Sequence, residues 1–145
     1  MVKVLSIDPG KYKCGLIFAE ISEQKVYKAI VLESELLEDF VKNLNIVEDI
    51  SKIIIGNGTS SSEIKKKLDF LKQEIITFEE KNTTYRAKER YFELFPISGL
   101  KFLIPREIFI FNKNLDAISA LIILEDYCKI KFNLDKNLDF KTWLK

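Results

Sequence analysis

Histidine is absent from all 145 residues. That removes Ser-His-Asp and Cys-His nucleophile systems and leaves carboxylates, lysines and hydroxyls to carry any chemistry. A site made of carboxylates works most readily through Mg²⁺ or Mn²⁺, which take oxygen ligands. Cysteine is nearly as scarce. Cys14 and Cys128 lie in apolar stretches without metal-ligand spacing, so both read as reduced, buried small hydrophobes. No apolar run approaches the roughly 20 residues of a membrane span, and the first residues lack the charged-then-apolar layout of a secretory signal. A cytoplasmic protein with no membrane contact is the expectation. Neither sign of charge dominates: 23 basic against 22 acidic residues leave +1, so any nucleic-acid partner has to be met by local clusters. Repeats and low-complexity linkers are also missing, and 145 residues make one well-buried core but are few for two domains.

What is present begins with Val2-Lys3-Val4-Leu5-Ser6-Ile7, an apolar, β-branched run halted at Asp8-Pro9-Gly10. Pro9 lacks a ladder donor and Gly10 permits a turn that other residues resist. Gly15 to Ala19 is a second apolar run a short turn later, so the two form an antiparallel hairpin whose first strand crosses the core and ends at Asp8. An acid there is either ordinary turn chemistry or a group with a purpose. Lys25 to Leu32 makes a third strand, after the polar turn Ser22-Glu23-Gln24. From Glu33 to Asn45 the period changes: Leu36, Leu37, Phe40, Val41 and Leu44 fall at helical spacing, with Ser34 as N-cap.

Lys52 to Gly56 is a short run apolar through Ile53-Ile54-Ile55, the pattern of a strand buried on both faces and parallel to its neighbour. Asn57-Gly58-Thr59-Ser60-Ser61-Ser62 leads into helical period from Glu63 to Gln73. Ser60 with Glu63 fits a capping box; alternatively Asn57, Thr59 and Ser60 form a phosphate loop, although no Walker Gly-Lys-Ser/Thr is present. Glu74 to Phe78 is the next strand and stops at Glu79 and Glu80. Thr83-Thr84 then caps a helix through Ala87, Tyr91, Leu94 and Phe95. Arg86, Lys88 and Arg90 on that helix, with Lys81 before it, form the basic cluster nearest the candidate acids, and equally a solvated helix face.

Pro96, Gly99 and Pro105 punctuate the stretch to Asn114, in which Glu107 to Phe111 reads as a strand or an apolar lid. With Asn114 as N-cap, Leu115 to Cys128 is a helix packed on the sheet, small Ala117 and Ala120 allowing close approach. Asp116 in its first turn is either an acid favoured by the helix dipole or a functional one. A central first strand beside the fourth brings Asp8 and either Glu79 or Glu80 to one sheet edge, and the closing helix can deliver Asp116. Carboxylates that close repel unless a cation shares them, and paired divalent ions about 3.5 to 4 Å apart use such ligands at phosphodiesters.

These residues also carry a family resemblance. Ile7-Asp8-Pro9-Gly10 with Cys14-Gly15 resembles the first motif of RuvC-type Holliday-junction resolvases. Phe78-Glu79-Glu80-Lys81-Asn82-Thr83-Thr84 with Ala87 resembles the Asp-Glu-Arg-x-Thr-Thr or Ser-Thr motif of the YqgF family, and Leu115 to Leu124 resembles its closing Asp-x-x-Ala-Ala helix. Lys81 stands where that motif has Arg, and Gly56-Asn57-Gly58-Thr59-Ser60-Ser61 where a Gly-x-Pro phosphate loop is expected. The resemblance implies an α/β, RNase H-like fold: a mixed five-stranded sheet, three antiparallel strands then parallel ones, with helices on both faces. The expected organisation is one domain over residues 1–131 with a C-terminal tail, 132–145, packed on it.

By the same resemblance Asp8, Glu80 and Asp116 are the catalytic acids and the ligands of Mg²⁺ or Mn²⁺, with Glu79 a secondary acid; on the nuclease reading, Lys81, Thr83, Arg86 and Lys88 are expected to meet nucleic acid. The implied activity is a divalent-metal nuclease acting on structured nucleic acid, either precursor ribosomal RNA or branched DNA. The alternative is a catalytically inactive nucleic-acid-binding relative. A two-fold homodimer would match the symmetry of a four-way junction. One domain of this length cannot close a nucleotide cleft between two lobes, so no nucleotide cofactor is expected.

Overall fold

Alternation along the first strand decides the layering. In the computed structural model, which describes residues 1–45, 47–106 and 115–138, β1 (Lys3–Asp8) sends Val4 and Ser6 to one face and Leu5 and Ile7 to the other. All four are fully buried, so β1 lies inside the sheet with both faces covered. It pairs antiparallel with β2 (Lys13–Glu20), which pairs antiparallel with β3 (Lys25–Glu33). On its other side β1 runs parallel to β4 (Ile50–Gly56), and β4 parallel to β5 (Glu74–Phe78). The sheet has one strand more than the five expected. Residues of the tail form β6 (Asn133–Leu134), parallel to β3, and two residues are too few to display a period. The order is β5-β4-β1-β2-β3-β6.

Four helices flank the sheet in the described residues: α1 (Leu37–Lys42), α2 (Ser61–Lys67), α3 (Thr83–Leu94) and α4 (Asp116–Cys128). On one face Val4, Ile17, Ala19 and Ile54 pack against Ala117, Ala120, Leu121, Ile123 and Leu124 of α4. The opposite face packs Leu5, Ile7, Leu16 and Ile53 against Leu37 and Val41 of α1 and Ile64 of α2. The third helix touches α4 through Ala87, Ile118 and Ile122. An antiparallel trio continued by parallel strands, with helices on both faces, is the RNase H-like architecture. No helix among the described residues is long and apolar enough to cross a membrane.

Local chemistry differs from expectation at the helix starts. Ser34 caps no helix; it opens a short 3-10 turn, Ser34–Leu36, and its hydroxyl donates instead to the Gly10 carbonyl at 2.8 Å, tying down the β1–β2 turn. Ser60 occupies the N-cap position of α2 without a side-chain cap bond, so the capping box with Glu63 does not form. Thr83 and Thr84 lie inside α3, and Asn82 takes its cap position in the left-handed region at φ 54°. Gly99–Leu103 is a 3-10 turn that leaves Leu100 and Leu103 exposed. The candidate cap Asn114 and the stretch Glu107 to Phe111 fall outside the described residues.

Candidate active site

Asp8 ends β1 with a glycine on each side. Its partner across β2 is Gly15, and on β4 the residue after Ile55, the partner of Ile7, is Gly56. Side-chain parity puts Asp8 on the same face as Val4 and Ser6, the face covered by α4. Ser6 fastens that helix by donating its hydroxyl to the Ala120 carbonyl at 2.8 Å. A methyl group at Gly15 would run into the Asp116 carbonyl and lie 2.6 Å from the Ala117 nitrogen. The bare backbone of Gly15 is therefore what lets α4 begin beside Asp8. A methyl group at Gly56 would lie 2.8 Å from Ile123 Cδ1 and 2.9 Å from Glu80 Oε2. Two missing side chains thus admit Asp116 from one flank and Glu80 from the other.

The acids feel one another. Burial, then the charge of Glu80, then that of Asp116 raise the Asp8 carboxyl to about 7. Burial also lifts Glu80, against a hydrogen bond from the Thr83 hydroxyl that favours its charged form. Oε2 of Glu80 is buried with no hydrogen-bond partner. Glu79, one residue earlier, is exposed. The Cys14 thiol, pushed up to about 11 chiefly by burial, is no nucleophile. Both cysteines are free, Cys14 buried and Cys128 half-buried.

Oxygen-only donors, an orphaned carboxylate oxygen and mutual repulsion suit a hard divalent cation. The fit is incomplete in one respect: among the described residues no three acidic or cysteine side chains converge on a single ion-sized point.

Beside Glu80 opens a cleft of about 540 Å³, lined by Asn57, Glu80, Asn82, Thr83, Thr84, Tyr85 and Lys88. The Asn57 amide donates to the Phe78 carbonyl at 2.8 Å, holding the β4–α2 loop against the end of β5. Of the residues assigned to nucleic acid, Thr83 and Lys88 line this cleft, whereas Thr59, Ser60 and Lys81 are not part of its wall. Arg86 is turned elsewhere. Its guanidinium makes a forked pair with Asp126 at 2.6 and 2.7 Å, holding that carboxyl below its usual range and fastening α3 to α4. Sequence reasoning missed the flanking glycines and Tyr85, which is 66% exposed at the cleft. The available signal was a glycine in register with the acid on one neighbouring strand and at the end of the other.

No protein-family model matches the chain, and no curated protein matches it. Among solved structures, RuvC of T. thermophilus in complex with a Holliday junction substrate is similar at a TM-score of 0.48 and 10% identity, over 89% of this chain and 96% of that one. A likeness at that level bears on no residue of the site.

Proposed function

We propose that this chain is a divalent-cation-dependent nuclease acting on structured nucleic acid, precursor ribosomal RNA or branched DNA. The observation that carries the reading is Asp8: a half-buried carboxyl at a strand end, raised to about 7 by burial and by the charges of Glu80 and Asp116. Repulsion of that kind at one sheet edge is relieved by a shared cation. Asp8, Glu80 and Asp116 would hold Mg²⁺ or Mn²⁺, which when bound supplies positive charge to a phosphodiester. The chain's own residues supply the rest. The start of α3 has no side-chain cap bond and no acid in its first turn, and Asn82, Thr83 and Thr84 there line the cleft, so a helix N-terminus suited to phosphate oxygens borders it. Lys88, one helical turn on, adds a cation to the same wall.

Incubation with Mn²⁺ and a panel of structured RNAs and branched DNAs tests this, with Asp8→Asn as control. Cleavage by the wild-type protein and a loss of about 100-fold or more in the folded variant, roughly 2.7 kcal/mol in the barrier, is the expected result. Undiminished cutting by the variant overturns the assignment. A non-catalytic nucleic-acid-binding role is favoured by one observation, the lack of three converging donors among the described residues. It expects salt-sensitive binding without cleavage.

A further inference from the structure

We infer that Gly56 is the positioning residue for Glu80: the space left by its missing side chain is the seat into which the Glu80 carboxylate folds toward Asp8. This rests on the nuclease reading above. Glu80 follows β5, and β4 separates β5 from β1. To meet Asp8 its side chain has to cross the end of β4, and that end is Gly56. A Cβ there would stand 2.9 Å from Glu80 Oε2, 3.0 Å from Glu80 Cδ and 2.8 Å from Ile123 Cδ1. The contacts at 2.8 and 2.9 Å are shorter than non-bonded atoms tolerate, and that at 3.0 Å is tight. The atoms that must yield are ends of flexible side chains, and Gly56 has no left-handed φ, so alanine strains no backbone. The fold therefore survives and the carboxylate moves.

The seat offers Oε2 no hydrogen-bond donor, so shape holds that oxygen, and the Thr83 hydroxyl is the polar tether of the carboxyl group. Neighbouring glycines behave differently. Gly15 faces backbone atoms of α4 that cannot step aside, whereas a Cβ at Gly58 would meet Pro9 Cγ at 3.4 Å and Glu80 Oε1 at 3.8 Å, ordinary contact. Gly58→Ala is thus a matched control.

The test compares wild type, Gly56→Ala, Gly58→Ala, Glu80→Ala and the Gly56→Ala/Glu80→Ala double variant. Without metal, methyl NMR reads the cross-peak between the Ile123 δ1 methyl and the Glu80 γ protons. It should be present in wild type and Gly58→Ala and lost in Gly56→Ala. With metal, the Mn²⁺ dissociation constant from paramagnetic resonance should rise at least tenfold in Gly56→Ala and stay unchanged in Gly58→Ala. Glu80→Ala should weaken binding in the wild-type background and add nothing to Gly56→Ala, the mark of a residue acting through Glu80. A missing wild-type cross-peak, wild-type Mn²⁺ affinity in Gly56→Ala, or multiplying effects overturn the inference. Cross-peaks as expected in a wild-type protein that binds no Mn²⁺ keep the seat and overturn the nuclease reading instead.

Discussion

Without a cation, Asp8 stands near its midpoint at neutral pH, because its carboxyl titrates at about 7 in the folded protein against an ordinary 3.8. The folded state holds this proton more tightly than the unfolded chain, so the carboxyl's destabilising contribution is nil below about pH 4, grows as pH rises, and is complete above about 7. Asp8→Asn should accordingly stabilise the metal-free protein at pH 8, by at most about 4 kcal/mol for a shift of this size, with the gain vanishing near pH 4. Urea unfolding at both pH values, in chelator, checks this; an unstabilised variant at pH 8 contradicts the crowded-acid picture. The position of Asp8 was legible in the sequence because Pro9 and Gly10 end a strand visibly. Sequence alone could not choose between Glu79 and Glu80, since that depends on which side chain clears the end of β4. Nor could it tell Arg86 from Lys88: both are basic and two residues apart, and only the packing of α3 on α4 gives Arg86 to Asp126 and Lys88 to the cleft.

Among the elements, α4 depends on Gly15 for its place on the sheet. Alanine there meets the Asp116 carbonyl and Ala117 nitrogen, which are backbone. Gly15→Ala should therefore cost on the order of 1–3 kcal/mol or more by forcing the helix away, where Gly56→Ala costs little. Thermal melts of the two variants side by side decide it. A second fastening joins α3, α4 and the tail. Arg90 and Glu125, 11% and 5% exposed, pair at 2.7 Å. Arg90 also donates to the Phe132 carbonyl at 2.9 Å, and the Phe132 amide donates to Glu125 Oε1 at 3.0 Å. Glu125→Ala takes the buried carboxylate from the Arg90 guanidinium, leaving it the Phe132 carbonyl and the exposed Glu93, and strips the buried Phe132 amide of its acceptor, for a loss of about 3–5 kcal/mol in chemical denaturation. Period and turn residues made β1 to β5, α3 and α4 legible, because each is a patterned run bounded by turn or capping residues. The sixth strand and this clamp were not: β6 pairs with a strand more than 100 positions earlier, and Arg90 reaches Glu125 and Phe132 across 35 and 42 positions.

For the molecule as a whole, a net charge of +1 means that affinity for nucleic acid has to come from the cleft rather than from the general field. Lys88→Ala should weaken binding and lower the slope of log affinity against log salt by about one, while Arg86→Ala should leave the slope unchanged and reduce stability. Equal slopes for wild type and Lys88→Ala would remove the cleft as the phosphate-binding wall. The most direct test of the central claim, that Asp8, Glu80 and Asp116 share a cation, is calorimetric titration of Mn²⁺ into wild type and Asp8→Asn at pH 8. Saturable binding in the wild type and at least tenfold weaker binding in the variant is predicted. Equal binding by both proteins, or none by the wild type, would contradict it.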